Sequence, residues 1–301
     1  MRVGVIADIH SNIYAFKACM SRLESEGCEE YLFLGDYISD TPYARETMDY
    51  LYEVMNTHKC FVLRGNREEY IIAQRKLIES GEKKGVWIKN SASGNLLYTY
   101  ERLTDKDIDF FESLPISMVY APEGYPAITC CHGSWDNSRE LLQHDGDNTK
   151  EWLEKIDTDY MICAHTHIVG TTVHEGKLYM NPGAAGIAIG TPGLAPCMII
   201  EGTKEGWRPQ FLLAPYDNRR VALDCFRLGL MDYAPWFINS NIQTLLSGWD
   251  NVANMVDIAK ANMLAEDENA EWPYMDEKYF QMAAEQLGIP DYRNSDLIKD
   301  V

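Results

Sequence analysis

The amino-acid sequence predicts an α/β fold that carries a helical extension at its C-terminal end. Between Met1 and about Pro215, short apolar runs alternate with amphipathic segments, and each run is followed at once by polar or Gly-containing residues. That is how strands buried in an α/β sheet read. Beyond about Tyr216 the strand-like runs stop, and apolar residues recur at helical spacing instead.

The expected strands are Arg2–Ala7, Tyr31–Leu34, Cys60–Leu63, Ala127–Cys131, Tyr160–Cys163, Lys177–Met180, Met198–Ile200 and Gln210–Leu213. Helices are expected between the early runs, at Tyr14–Glu26 and Ala44–Asn56, where apolar residues lie three and four apart. After His132 the strands crowd together with little helix between them, which suggests β-hairpins and a second sheet. A largely helical insertion spans residues 69–114. Its last helix opens with a capping box, Thr104 with Asp107, and Pro115 stops it. The sequence therefore divides into a domain over residues 1–215 and a helical extension over 216–301 packed on it. In the extension, helices are expected at Ile238–Leu246, Asn251–Leu264 and Asp276–Leu287, with Trp236, Trp249 and Trp272 read as core packing.

With 301 residues, 46% of them hydrophobic and 24% charged, the chain can bury a large core without a disulfide or a structural metal. Its 46 acidic residues against 27 basic ones give a formal charge of −19. Bulk capture of nucleic acid or of an anionic membrane is thereby disfavoured. A small phosphorylated substrate is not, since bound cations reverse the field locally. The eight cysteines form no C-x-x-C pair and read as reduced thiols. No apolar stretch approaches a membrane span. The expected location is the cytoplasm.

Seven potential metal ligands stand where strands are expected to end: Asp8, His10, Asp36, Asn66, His132, His165 and His167. Loops at strand C-termini converge on one edge of an open α/β sheet. A D-x-H or H-x-H spacing lets both side chains reach one small volume if the backbone turns there. Imidazole and carboxylate together suit Mn, Fe, Zn, Co or Ni. Two such ions, about 3.5–4 Å apart, need a bridging anion. Asp36, midway in the order, is the natural bridge. Any one of these pieces is common by chance; all seven in this order are not.

Taken together, Asp8-x-His10, Gly35-Asp36, Gly65-Asn66, His132-Gly133 and His165-Thr166-His167 resemble the calcineurin-like metallophosphoesterases. The turn Asn181-Pro182-Gly183-Ala184 resembles the bacterial phosphodiesterase-type branch. The resemblance covers about residues 1–214. It implies a four-layer α/β/β/α sandwich with the metal centre at one edge, and a dinuclear enzyme that hydrolyses phosphate mono- or diesters by in-line attack of a metal-bridging hydroxide. One ion would be held by Asp8, His10, Asp36 and His167, the other by Asp36, Asn66, His132 and His165. His132 and Arg67 would serve catalysis, and Arg67 would touch substrate. Asn12, close behind the first motif, reads either as a substrate contact or as a turn-forming Asn.

The departure lies at Arg67, where many relatives have a histidine that contacts phosphate and protonates the leaving oxygen. Arginine can grip phosphate but stays charged, so it cannot be the general acid; the other reading of Arg67 is a pairing with a nearby carboxylate. Of the remaining histidines, His144 is the best spare acid, while His58 and His174 read as surface or packing residues. Two rival functions stay open: a serine/threonine-type phosphoprotein phosphatase, resembled by Leu63-Arg64-Gly65-Asn66 with Glu68, and a non-catalytic interaction scaffold on the same fold.

Overall fold

The structure is a computed structural model and describes residues 1–203 and 205–296. The strand β1 (Arg2–Ile6) is followed by α1 (Ile13–Ser25), β2 (Glu30–Phe33), α2 (Ala44–Thr57) and β3 (Lys59–Val62). Three helices come next: α3 (Asn66–Glu79), α4 (Gly94–Tyr100) and α5 (Asp105–Ser113). The second half of the sandwich is β4 (Ser117–Tyr120), β5 (Ile128–Cys131), α6 (Asp147–Lys155), β6 (Tyr160–Ile162), β7 (Gly170–His174) and β8 (Lys177–Asn181). A long hairpin, β9 (Leu194–Thr203) and β10 (Gly206–Pro215), returns to the first sheet. The helices α7 (Asn218–Arg227), α8 (Pro235–Ser247), α9 (Val252–Glu266) and α10 (Glu277–Leu287) form the extension.

Among the described residues, ten strands make two five-stranded sheets, in the orders β10-β9-β1-β2-β3 and β4-β5-β6-β8-β7. In the first, β1, β2 and β3 run parallel while β9 lies antiparallel to β1. In the second, β5, β6 and β8 are parallel and β4 and β7 are antiparallel edges. Side chains alternate across each strand. Val3, Val5 and Ala7 therefore face the second sheet, meeting Ile128, Cys130, Ile162 and Met180 in one core. Ile6 and Phe33 face the other way, onto α1, α2 and the insertion helices through Phe16, Leu51 and Phe111. The outer face of the second sheet is covered by α6 through Leu153, against Cys131, Met161 and Tyr179. These are the four layers that the sequence resemblance implies.

The extension has its own core, with Phe237, Ile242, Met255 and Phe280 in it, and Tyr98 of α4 shares that core. A smaller cluster joins Val221 and Leu245 to Ile13, Tyr43 and Ile187 of the sandwich. Polar bonds reinforce the join: Asn90 Nδ2 donates to the Pro273 carbonyl at 2.7 Å, and Tyr43 donates to Asp224 at 2.7 Å. The Thr104–Asp107 capping box forms, and Asp107 additionally receives the Arg45 guanidinium and the Tyr52 hydroxyl.

Several expectations need correction. The stretch after His132 contains α6, whose nine residues bury only Thr149 and Leu153, too narrow an apolar stripe to read from spacing. The strands β4 and β7 are edges with half-exposed patterns, so neither shows as an apolar run. Of the three tryptophans assigned to core packing, only Trp236 is buried; Trp249 is 69% and Trp272 42% exposed. No helix among the described residues is long and apolar enough to cross a membrane.

Candidate metal centre and its cleft

The loops that leave β1, β2, β3, β5 and β6 all arrive at one edge of the sandwich. There the backbone is held in a left-handed conformation that side chains with a Cβ rarely adopt. Asp8, His10, Asp36, His165 and His167 have φ between 48° and 64°. Each such residue costs free energy, and the surrounding bonds impose it. Asp8 N donates to Gly35 O, His10 N to Asp36 O and Ser11 N to Tyr37 O, which locks the first loop onto the second. Gly65 allows the third loop to close on them, since a Cβ there would lie 2.2 Å from Asp36 Oδ1.

All seven expected ligands come together in this way. Ligand atoms of Asp8, His10 and His167 lie within 4.8 Å of one another, and so do those of Asp36, His132 and His165. His10 Nε2 faces His167 Nε2 at 3.0 Å and the Asp36 carboxylate at 4.0 Å. His132 Nε2 is 3.0 Å from Asn66 Oδ1, 3.5 Å from Asp36 and 4.0 Å from Asp8. Asp36 thus stands within reach of both sets.

The donor set fits divalent metal. Two ligands each about 2.1 Å from one ion at a tetrahedral angle lie about 3.4 Å apart, and the separations above bracket that value. Asp8 Oδ1 is buried with no hydrogen-bond partner, although His167 Nε2 is only 3.7 Å away. A buried carboxylate oxygen without a donor is costly, and a cation would answer it. The ring nitrogens are oriented from behind. His132 Nδ1 donates to the Leu34 carbonyl at 2.7 Å and His165 Nε2 to the Arg139 carbonyl at 3.2 Å, which leaves the opposite nitrogen of each to act as ligand.

Charge in the site is finely divided. Burial pushes the Asp8 carboxyl up to about 6, with the charge of His132 pulling against it. Burial also opposes a charge on Asp36, but His132, His10 and Arg67 override it and hold this carboxyl well below the ordinary range. Burial opposes a charge on His132 as well, yet the adjacent Asp36 wins and pushes it up to about 10. Burial and the neighbouring His132 lower His165 to about 4. Burial and His10 hold His167 well below its usual value. Neutral imidazole is the ligating form, so His165 and His167 are ready for metal over the physiological range.

Two buried acids support this arrangement: Glu68, which the sequence offered only as part of a rival family resemblance, and Asp40, which sequence reasoning passed over. Glu68 accepts from the backbone amides of Asp36, Tyr37 and Gly65 at 2.7–2.9 Å, fixing the Asp36 loop against the Gly65 loop. Burial and the charge of Asp36 raise its pKa to about 7. Besides that resemblance, its sequence signal is the capping-box position three residues after Gly65. Asp40 lies 2.8 Å from His10 Nδ1 and 3.0 Å from the Arg67 guanidinium, and it accepts from the Asn95 side chain. Against burial, Arg67 and His10 hold Asp40 at about 2. Only its place four residues after Asp36 hinted at this role.

Arg67 therefore does pair with a carboxylate, and its guanidinium also stands 3.9 Å from Asp36 on the wall of the cleft described below. Asn12 does not reach that cleft. It is fully buried, its Oδ1 caps α1 by accepting from Ala15 N, and its Nδ2 donates to Gly186 O. Both ends of its amide are thus taken, and the expected substrate contact is withdrawn. His144 packs its ring against Gly170 and is not among the cleft residues. Asn181, the last residue of β8, uses Nδ2 to tie down Ala164 O and Thr166, and so steadies the His165–His167 loop.

The metal-ligand edge opens into a cleft of about 940 Å³, lined at one end by Asp36, Asn66, Arg67, His165 and His167 and continuing along α3 and α9.

Residues 1–169, more than half of the chain, match the family model of the calcineurin-like phosphoesterases. The chain belongs to that family. Members are metal-dependent phosphoester hydrolases, and the two ligand groups above provide candidate metal sites for such an enzyme. An uncharacterized protein of Methanocaldococcus jannaschii is 21% identical over 209 residues, 61% of this phosphoesterase and 76% of its own length. Among solved structures, a hypothetical protein of Pyrococcus horikoshii is 20% identical with a TM-score of 0.67, over 83% of this chain and 99% of that one. A metallophosphoesterase of Sphaerobacter thermophilus is also 20% identical, with a TM-score of 0.64, over 83% of this chain and 100% of that one. The likeness to these structures establishes a shared fold.

Proposed function

We propose that this phosphoesterase binds two divalent ions and hydrolyses small phosphate esters, with Asp8, His10, Asp36 and His167 holding one ion and Asp36, Asn66, His132 and His165 the other. The observation that carries the reading is the position of Asp36: it lies within 4.0 Å of His10 in one ligand group and 3.5 Å of His132 in the other. A bound ion pair would supply a water acidified toward neutral pH and a counter-charge for phosphate oxygens.

The protein's own groups supply the rest. Glu68 ties the Asp36 backbone to the Gly65 loop, the Arg67 amide donates to the Asp36 carboxylate at 2.8 Å, and carbonyls 34 and 139 orient His132 and His165. Arg67 offers a fixed positive charge beside Asp36, suited to a phosphate oxygen. Asp40 positions Arg67 and His10 together. In this reading residues 1–215 form the catalytic domain, and the extension completes the cleft through residues such as Phe237, Val256 and Trp272.

The test is metal analysis of the purified protein together with hydrolysis of chromogenic mono- and diesters, in the parent and in Asp36→Asn. Expected are close to two metal equivalents in the parent. The variant should stay folded by circular dichroism, lose at least one equivalent and lose at least about a hundredfold in activity. A variant with full metal and normal turnover overturns the dinuclear assignment. A parent that binds metal but cleaves neither ester favours the scaffold reading.

A further inference from the structure

Phosphate and two metal ions need only the polar end of the cleft. The remainder is walled by apolar side chains from parts of the chain far apart in sequence: Tyr70 and Leu77 of α3, Trp87 of the loop after it, Phe237 of α8, Val256 of α9, and Trp272. Trp272 stays 42% exposed, with the Lys260 ammonium 4.4 Å from its ring centre. At about 940 Å³ the whole cleft lies toward the upper end of the range for pockets that enclose a drug-sized ligand, roughly 300–1,000 Å³.

The charges in this wall are informative. Away from the ligand end, the charged side chains that line the cleft among the described residues are Asp250, Asp257 and Lys260, a net negative set. Among the described residues lining the cleft, the other cation, Arg67, already faces Asp40 and Asp36. A second phosphate or carboxylate on the substrate would find little positive charge there, in a chain whose formal charge is −19.

We propose that the apolar wall binds the organic group of the ester, and that this group is an extended, uncharged, apolar alcohol. The inference rests on the phosphoesterase reading, and the cleft is its specificity pocket. It assigns a task to the C-terminal extension, which supplies Phe237, Val256 and Trp272 to a site whose ligands all come from the sandwich.

The experiment measures binding of n-alkylphosphonates, which resist hydrolysis, to the metal-loaded full chain by titration calorimetry, from methyl to octyl. Each methylene taken into the cleft should tighten binding by up to about fourfold, from about 0.8 kcal/mol per buried CH₂. Octyl should then bind at least about a hundredfold more tightly than methyl. In Leu77→Asp and Val256→Asp, and more mildly in Leu77→Ala, the octyl-to-methyl ratio should collapse toward one. Comparison of octyl- with 4-phenylbutylphosphonate separates a lipid-like from an aryl source of the apolar group. Equal affinity for methyl and octyl in the parent, or tightest binding by a phosphonate bearing a second acidic group, overturns the proposal. Metal-dependent binding of methylphosphonate without any gain from chain length leaves the phosphoesterase reading standing. Chain-length-dependent binding that is indifferent to metal breaks that reading and spares the cleft. Binding of neither ligand sinks both.

Discussion

At the polar end of the cleft, all seven candidate ligands stand within five residues of the C-terminal end of a strand, and five of them hold a left-handed backbone. At the apolar end the wall comes from the faces of α3, α8 and α9 and from connecting loops, and Trp272 stays partly exposed. The first region is rigid, charged and built by short loops on a common edge. The second is apolar and assembled from segments as far apart in sequence as Tyr70 and Trp272. A divalent ion tolerates little error in ligand position, and strand ends fixed by a hydrogen-bonded sheet give that precision. An apolar group accepts many shapes, so a wall of helix faces suffices.

The contrast can be broken most severely by removing the extension. Truncation after Pro215 would bare Val221's partners Ile13, Tyr43 and Ile187 and strip Tyr98 of its core. The expected outcome is aggregation, read by size-exclusion chromatography. A soluble truncation with unchanged kcat/KM on a methyl ester would show the two ends to be independent.

Next in size is Arg67→Ala, at the polar end. Loss of one strong contact to developing phosphate charge should reduce kcat/KM by about 2–4 kcal/mol, tens to a thousandfold, on mono- and diesters alike. Metal content should stay that of the parent. Unchanged kinetics would make Arg67 a partner of Asp40 and nothing more.

Glu68→Gln sharpens the comparison, because it keeps the shape and removes a charged acceptor of three backbone amides. The Asp36 loop should loosen, with metal affinity or activity falling about 10–100-fold. Competition with a chelator would measure it.

The smallest effect is expected far from the cleft. Asp107 caps α5 and accepts from Arg45 and Tyr52; despite burial, these bonds hold its pKa below the ordinary value. A carboxyl with a depressed folded pKa adds stability that is present above its unfolded pKa, about 3.9, and fades as pH falls through the folded value. Asp107→Asn should cost about 1–2 kcal/mol at neutral pH. The gap should close as pH drops below about 4, as urea melts at several pH values would show. A gap constant with pH would mean that packing, and not charge, sets the loss.

The ligand end was legible because its signal is local: D-x-H, G-D, G-N, H-G and H-x-H each follow an apolar run in the sequence. The first strand, the Thr104 cap and the helices at 44–57 and 277–287 were legible for the same reason, since period and caps lie within a few neighbouring residues. The edge strands β4 and β7 were not, because an edge shows half its residues to water and leaves no apolar run.

What the sequence determined by itself was the chemistry: residue types that bind divalent metal, in an order that places them on one edge of an α/β sheet. Tertiary structure alone decided their support and surroundings. Asn12, next to the first motif, is turned inward to cap a helix. Glu68 reaches back across 32 residues to the Asp36 amide, and Asp40 meets both His10 and Arg67. Trp87 and Trp272 come to share one wall. Those relations depend on how helices dock, and docking buries apolar area without direction, so no local spacing records it.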